Sequence, residues 1–123
     1  GGASINLVGM DFFYRDETHL RELNYLQRPG MLNVLLCHNP ALFPKARREK
    51  WDLTVAGHTH GGQLDVEIFD RRLLPMRIAT PYVYGQYRED NSVMYVSRGI
   101  GTVGVPARIG APPEVALLRL RRA

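Results

Sequence analysis

The first third of the chain alternates apolar runs with a segment whose apolar residues recur at helical spacing. Residues 4–10 alternate enough to predict a strand, and residues 16–27 carry three leucines at helical spacing before Pro29 and Gly30 end the pattern. The run 31–37 is almost continuously apolar, as is typical of a parallel strand covered on both faces. Together these segments predict a β-α-β unit.

A second helix and a third strand are expected to follow this unit. Asn39 is suited to cap a helix that has Pro40 at its first position, and we expect this short helix to run toward Lys50. Residues 52–56 form another short apolar stretch, which predicts a strand ending at Gly57.

Helical periodicity disappears after Gln63, and the rest of the chain has the texture of β-structure. Strands are predicted at residues 64–69, 82–88, 92–97 and 114–120, with a hairpin turn at residues 90–91. The pattern as a whole predicts an α/β fold with a βαβ start and a β-rich second half, layered as a single domain over residues 1–123.

Composition limits the functions that this domain can have. The 123 residues, 45% hydrophobic and 23% charged, suit one globular domain, and no stretch approaches the ~20 apolar residues of a membrane span. The net charge of +4 comes from scattered arginines rather than a dense basic stripe, so no nucleic-acid partner is predicted. The only cysteine, Cys37, lies in an apolar strand and is interpreted as a core residue.

Three of the four histidines follow directly on predicted strands. His38 comes after strand 31–37, and His58 and His60 come after strand 52–56 in a glycine-rich turn. The carboxyl ends of parallel strands meet at one edge of a sheet, so these side chains should line one crevice. Imidazole binds Zn, Fe and Mn, and a two-metal site can bind a hydroxide and the oxygens of a phosphoryl group. The cluster favours metal-dependent phosphoester hydrolysis, although an isolated His-x-His is often a coincidence.

Three separated motifs resemble those of the calcineurin-like metallophosphoesterases, and they occur in the family's order. They are the His-Asn-Pro of residues 38–40, the stretch 52–63 with its Gly-His-Thr-His-Gly-Gly-Gln ending, and the Tyr-Val-Ser-Arg-Gly-Ile-Gly of residues 95–101. The resemblance continues through residues 108–114 and is nearest to a bacterial branch that hydrolyses phosphodiester or pyrophosphate bonds, some in nucleotide-linked lipid precursors.

This resemblance implies a fold, a cofactor and a set of ligands. The fold would be a four-layer α/β/β/α sandwich, of which this chain would be the C-terminal part. The cofactor would be two divalent metal ions (Mn, Zn or Fe), with His38 and His58 on one ion and His60 on the other. The substrate would be a phosphoester such as a nucleotide-linked lipid precursor.

The chain also departs from the family pattern. The family's Asp-x-His, Gly-Asp-x-x-Asp and Gly-Asn-His motifs do not occur in it, so no complete catalytic set is expected here. Without those carboxylates, three neutral imidazoles should bind metal weakly and give negligible turnover. Because the chain begins with Gly1 rather than methionine, we expect it to be a piece of a longer protein whose cellular location is unknown and which could be membrane-associated. Unpaired strand edges would favour association with the missing part or with a second copy.

Two other functions stay open at this stage. One is a non-catalytic binding or assembly module that keeps the second half of the fold. The other is a mononuclear Zn hydrolase, which requires three histidines within about 2.1 Å of one ion.

Three further side chains have two interpretations each. Arg98 is placed to contact a substrate phosphate or to form a surface ion pair. Gln63 and Asn39 adjoin predicted ligands and could orient them, although helix capping alone explains Asn39. The glycines of residues 99–104 match a dinucleotide-binding pattern, but Pro106 follows instead of a helix, so we expect a loop returning toward the metal crevice.

Overall fold

The computed structural model describes residues 4–11, 17–63, 66–68, 71–73, 80–104 and 106–121. Within these ranges the chain forms seven strands and two α-helices. In chain order they are β1 (Ile5–Gly9), α1 (Glu17–Glu22), β2 (Leu32–Leu36), α2 (Phe43–Arg48), β3 (Leu53–Ala56), β4 (Val66–Ile68), β5 (Arg71–Leu73), β6 (Gly85–Glu89) and β7 (Ser92–Val96). Short 3₁₀ turns cover Leu23–Leu26, Pro40–Leu42 and His60–Gly62.

Five of these strands form one mixed sheet in the order β1-β2-β3-β7-β6. β1, β2, β3 and β7 are parallel, whereas β6 pairs antiparallel with β7 across the hairpin at residues 90–91. β4 and β5 form a separate antiparallel pair. Because β2, β3 and β7 are parallel neighbours, the residues that follow them emerge side by side at one edge of the sheet.

One face of this sheet is packed under the two helices. The core cluster consists of Val8, Leu20, Leu35, Cys37, Phe43, Ala46, Trp51, Ala56, Met94 and Val96. Phe43 and Ala46 come from α2 and Leu20 from α1, and all three are fully buried. Burying a large apolar side chain contributes about 1.5–3 kcal/mol to the stability of the fold. The packing of the helices on this face therefore stabilises the sheet.

The opposite face of the sheet is only partly covered. Ile5, Leu7 and Leu36 share this face, because Ile5 and Leu7 are two residues apart and Gly9 pairs with Leu36. These three apolar side chains are exposed. The association through unpaired strand edges that the sequence analysis expects stays a prediction.

Most of the expected elements are present. The β-α-β start, the helix after Asn39 and the hairpin are confirmed, and the mixed sheet with its helices confirms the α/β class. The four-layer sandwich is not confirmed. The predicted strand at residues 64–69 corresponds to β4 at its centre, and residues 64, 65 and 69 lie outside the described residues. Among those described, no helix is long and apolar enough to cross a membrane.

Two of the strand predictions are wrong in part or in full. Residues 82–84 precede β6 instead of belonging to it. The Tyr82 ring packs edge-on against Phe43 and Tyr87. Residues 114–120 belong to no strand. Val115 and Leu117 are 89% and 90% exposed, so the alternating pattern there does not reflect one buried face of a sheet.

Candidate metal centre

The ends of β2 and β3 are joined by main-chain hydrogen bonds that bring two histidines together. The Cys37 N–H donates to the Val55 carbonyl over 3.0 Å, and the Gly57 N–H donates to the His38 carbonyl over 3.2 Å. These bonds continue the parallel ladder one step past the strands. His38 is therefore placed directly beside the turn that follows β3.

That turn, residues 57–63, has an unusual backbone. His58, His60 and Gln63 have φ angles of 67°, 51° and 44°, and Gly61 and Gly62 have 65° and 86°. A side chain in this left-handed region costs about 1–2 kcal/mol, and such residues concentrate at functional sites. Three non-glycine residues held there make this turn the most strained part of the described backbone.

Thr59 anchors the turn in the core. Its side chain is buried, and its hydroxyl donates a hydrogen bond to the Val83 carbonyl. Within the turn, the Gly62 N–H donates to the Thr59 carbonyl over 2.8 Å. Thr59 thus faces inward while the histidines on either side of it stay at the surface.

His38 and His58 face one another. The distance from His38 Nε2 to His58 Nδ1 is 2.9 Å, and the ring planes are inclined at 65°. This contact has the length of a hydrogen bond between the two rings. It brings two imidazole nitrogens, each a common type of metal ligand, to the same place beyond the strand ends.

The electrostatics of His38 favour this role. Partial burial lowers the pKa of His38, and the neighbouring His58 and His60 lower it further through charge repulsion. His38 therefore stays neutral to a lower pH than an ordinary histidine does. A neutral imidazole is the form that binds metal.

His60 is turned toward the glycine loop that follows β7. Its Nδ1 is 3.1 Å from the Gly101 carbonyl oxygen. A carbonyl only accepts, so Nδ1 carries the proton and the neutral ring has its lone pair on Nε2. Metal-binding histidines commonly donate their second N–H to a carbonyl in this way.

The three histidines do not form one ligand group. In the described parts of the chain, no set of three or more His, Cys, Asp or Glu side chains is placed to hold one ion. The structure thus pairs His38 with His58, whereas His60 Nδ1 contacts the Gly101 carbonyl. This arrangement gives no support to a mononuclear site with three histidines.

Gln63 ties the histidine turn to the glycine loop. Its side-chain amide donates to the Val103 carbonyl over 3.0 Å and accepts from the Val103 N–H over 2.9 Å. The Gln63 main-chain carbonyl accepts from the Ile109 N–H over 2.8 Å. Gln63 therefore acts on the loop that contacts His60.

Asn39 has the capping role that its position predicts. Its side-chain oxygen accepts a hydrogen bond from the Ala41 N–H over 3.0 Å, at the start of the 3₁₀ turn that leads into α2. A direct effect of Asn39 on a metal ligand stays a prediction.

Arg98 is held by protein groups beside the turn. Its guanidinium lies 4.3 Å from the centre of the Tyr84 ring, and its Nε is 3.7 Å from Glu114 Oε2. The other Glu114 oxygen accepts from the Tyr95 hydroxyl, and this bond raises the pKa of Tyr95. The ion pair is thus present, and contact between Arg98 and a substrate phosphate stays a prediction.

Sequence reasoning missed Arg108. Its guanidinium donates to the main-chain carbonyls of His60, Arg98, Gly101 and Ala111. A lone arginine in an irregular segment carries no pattern that points to such contacts. They depend on a fold that brings Arg108 to a residue 48 positions earlier in the chain.

Cys37 is confirmed as a core residue. Its side chain is buried, and that burial raises the pKa of the thiol to about 12. The thiol therefore stays protonated at physiological pH and is a poor metal ligand, since metals bind the thiolate.

The backbone of the turn can be tested with two glycine variants. Gly61 has φ +65°, and a Cβ built there would lie 2.7 Å from Arg98 Cγ, whereas a Cβ at Gly57 would meet no atom within 4 Å. We expect Gly61→Ala to lower the free energy of unfolding by about 1–2 kcal/mol and Gly57→Ala to change it by less than about 0.5 kcal/mol. Urea unfolding followed by the fluorescence of Trp51 measures both, and equal effects would contradict the described turn.

The chain is similar to several curated bacterial proteins. It is 39% identical over 123 residues to an uncharacterized metallophosphoesterase of Helicobacter pylori (strain ATCC 700392 / 26695), covering 94% of this chain and 32% of that protein. It is 37% identical over 87 residues to the phosphodiesterase YaeI of Escherichia coli (strain K12), covering 71% and 32%. It is 31% identical over 121 residues to the uncharacterized protein YpbG of Bacillus subtilis (strain 168), covering 97% and 43%.

These similarities cover most of this chain, but the chain spans less than half the length of the relatives described here. No family model and no solved structure matches the chain. Relatives that are named metallophosphoesterases nevertheless match it in Helicobacter, Bacillus and Campylobacter. The chain therefore belongs to the metallophosphoesterase family.

Proposed function

We propose that this chain carries the metal-binding histidines of a hydrolase that cleaves phosphodiester or pyrophosphate bonds. His38 and His58 hold one divalent ion (Mn, Zn or Fe), and the Nε2 of His60 binds a second. The observation that carries the proposal is the 2.9 Å contact between His38 Nε2 and His58 Nδ1, which brings two candidate ligands of one ion together. The hydrogen bond from His60 Nδ1 to the Gly101 carbonyl supports the separate role of His60.

Divalent ions held there would provide a hydroxide nucleophile and would stabilise the charge that develops on the phosphoryl group. The residues of this chain would hold and orient those ions. The left-handed turn directs His58 and His60 to different places, and the lowered pKa of His38 keeps that ring available as a ligand. Thr59 keeps the turn fixed by its hydrogen bond to the Val83 carbonyl.

The charge balance of these ligands suggests an incomplete centre. Three neutral imidazoles offer no negative charge to two divalent cations, and the nearby Glu114 is engaged by Arg98 and Tyr95. We therefore infer that this chain binds metal weakly and has negligible turnover by itself. The complete activity belongs to a longer protein that supplies carboxylate ligands.

The surroundings of the turn suggest a substrate with an apolar part. Ile100, Val103 and Ile109 are 72%, 65% and 53% exposed, although all three are large aliphatic residues. Main-chain groups of Val103 and Ile109 are hydrogen-bonded to Gln63. We call these three aliphatic residues the apolar rim, and it flanks the histidine turn. A phosphoester carrying an acyl chain, such as a nucleotide-linked lipid precursor, would contact both the metal centre and the rim.

Metal binding tests the assignment of the ligands. We expect His38→Ala and His58→Ala each to weaken one Mn²⁺ binding step by at least about 10–100-fold. That is the loss of metal affinity when a residue hydrogen-bonded to a metal ligand is removed, and loss of the ligand itself should cost no less. The double variant should bind Mn²⁺ only slightly more weakly than either single variant, because both residues bind one ion. His60→Ala should weaken a second binding step independently. Isothermal titration calorimetry measures each step.

Asp90→Asn is the matched control for this titration, because Asp90 lies in the hairpin at the other end of β7. Its Mn²⁺ affinity should equal that of the wild type. Folded protein without any Mn²⁺ binding would contradict the proposal and favour a non-catalytic binding or assembly module.

The incompleteness of the centre has its own test. With saturating Mn²⁺, we expect the chain to hydrolyse bis(4-nitrophenyl) phosphate no faster than the metal ion alone, because the carboxylates that balance the charge are missing. Absorbance of the released nitrophenolate measures the rate. Strong hydrolysis that disappears in His58→Ala would contradict this expectation while supporting the metal site.

The apolar rim predicts a preference among ligands. The metal-loaded chain should bind dodecyl phosphate at least about tenfold more tightly than ethyl phosphate, since each buried methylene contributes about 0.8 kcal/mol. Calorimetry below the micellar concentration of dodecyl phosphate measures both affinities. Ile100→Ser should reduce the ratio, whereas Leu117→Ser, in the exposed C-terminal segment, should leave it unchanged. Equal affinities for the two phosphates would contradict the role of the rim.

A further inference from the structure

Arg108 makes an unusual set of contacts for an arginine near a candidate metal centre. Its Nη2 donates to the His60 carbonyl over 2.8 Å and to the Arg98 carbonyl over 3.0 Å. Its Nη1 donates to the Gly101 carbonyl, and its Nε donates to the Ala111 carbonyl. Every acceptor named here is a main-chain carbonyl, so the guanidinium joins four points of the backbone.

Two of these four carbonyls control His60 directly. The Gly101 oxygen accepts one hydrogen bond from Arg108 Nη1 and another from His60 Nδ1. The carbonyl of His60 itself accepts from Arg108 Nη2. Arg108 therefore fixes both the backbone that carries the imidazole and the acceptor that its N–H needs.

The local backbone explains why such a support is needed. His60 has a φ of 51°, in a region that costs a non-glycine residue about 1–2 kcal/mol. Gly101 lies in an irregular loop, and no strand or helix of the described chain holds it. A planar guanidinium has five N–H donors spread over a fixed fork and can hold both segments at once, whereas a lysine ammonium has three donors on a single atom.

We infer that Arg108 is a positioning residue for His60. By holding the Gly101 carbonyl in place, Arg108 keeps the His60 proton on Nδ1 and leaves the lone pair on Nε2, the atom assigned to the second ion. The inference rests on the proposed function for the identity of that ion. The preference of His60 for one tautomer is independent of any metal.

The tautomer of His60 is the direct test. In metal-free wild-type protein, well above the ordinary histidine pKa, two-bond ¹H–¹⁵N correlation spectra should show His60 with its proton on Nδ1, with His60→Gln identifying the signal. In Arg108→Met both tautomers should be populated, because the acceptor is no longer fixed. Arg108→Lys should resemble Arg108→Met, since it keeps the charge but loses the planar fork.

Metal affinity gives a second readout. The Mn²⁺ step that depends on His60 should weaken by about 10–100-fold in Arg108→Met, as for loss of an outer partner of a ligand. The step that depends on His38 and His58 should be unchanged, which a general loss of structure would not produce. Arg119→Met is the matched control, because Arg119 lies beside Leu32 and Asp52 at the far end of the sheet.

Several results would overturn the inference. They are a wild-type His60 protonated on Nε2, an unchanged tautomer and affinity in folded Arg108→Met, and failure of both Arg108 variants to fold, which would assign Arg108 to the fold as a whole. If the wild type binds no Mn²⁺ but shows the expected tautomer and its loss in Arg108→Met, the proposed function fails while the positioning role stands.

Discussion

The candidate centre depends on a turn whose backbone is held in an unfavourable conformation. Five of the seven residues in the turn 57–63 have positive φ angles, and three of these are not glycine. The cost is offset by contacts that reach outside the turn: Thr59 to the Val83 carbonyl, Gln63 to Val103, and Arg108 to the His60 carbonyl. The strain gives the histidines directions that no regular strand could give them.

Two arginines, Arg98 and Arg108, lie beside the candidate site. Arg98 stacks on Tyr84 and pairs with Glu114, and Arg108 is surrounded by main-chain carbonyls. Both guanidinium groups are thus committed to holding protein segments in place. The proposed ligands are imidazole nitrogens rather than carboxylate oxygens.

The local pattern of apolar and polar residues predicted the strands and helices in the first half of the chain. β1, β2, β3 and the helices between them follow from apolar runs, helical spacing and the cap at Asn39. The segment 114–120 carries the same alternation as a strand but pairs with none, because pairing requires a free strand edge in the right place. An alternating pattern reports the character of the side chains, and the partner strand decides whether a sheet forms.

The sequence by itself predicted that His38, His58 and His60 lie at one edge of the sheet, because residues that follow neighbouring parallel strands share one edge. It also carried the family resemblance that the relatives confirm. Only the tertiary structure decided that His38 faces His58, that His60 turns to Gly101, and that Arg108 joins these segments. The contacts His38–His58 and Arg108–His60 link residues 20 and 48 positions apart, and they depend on backbone angles that the residue pattern does not encode.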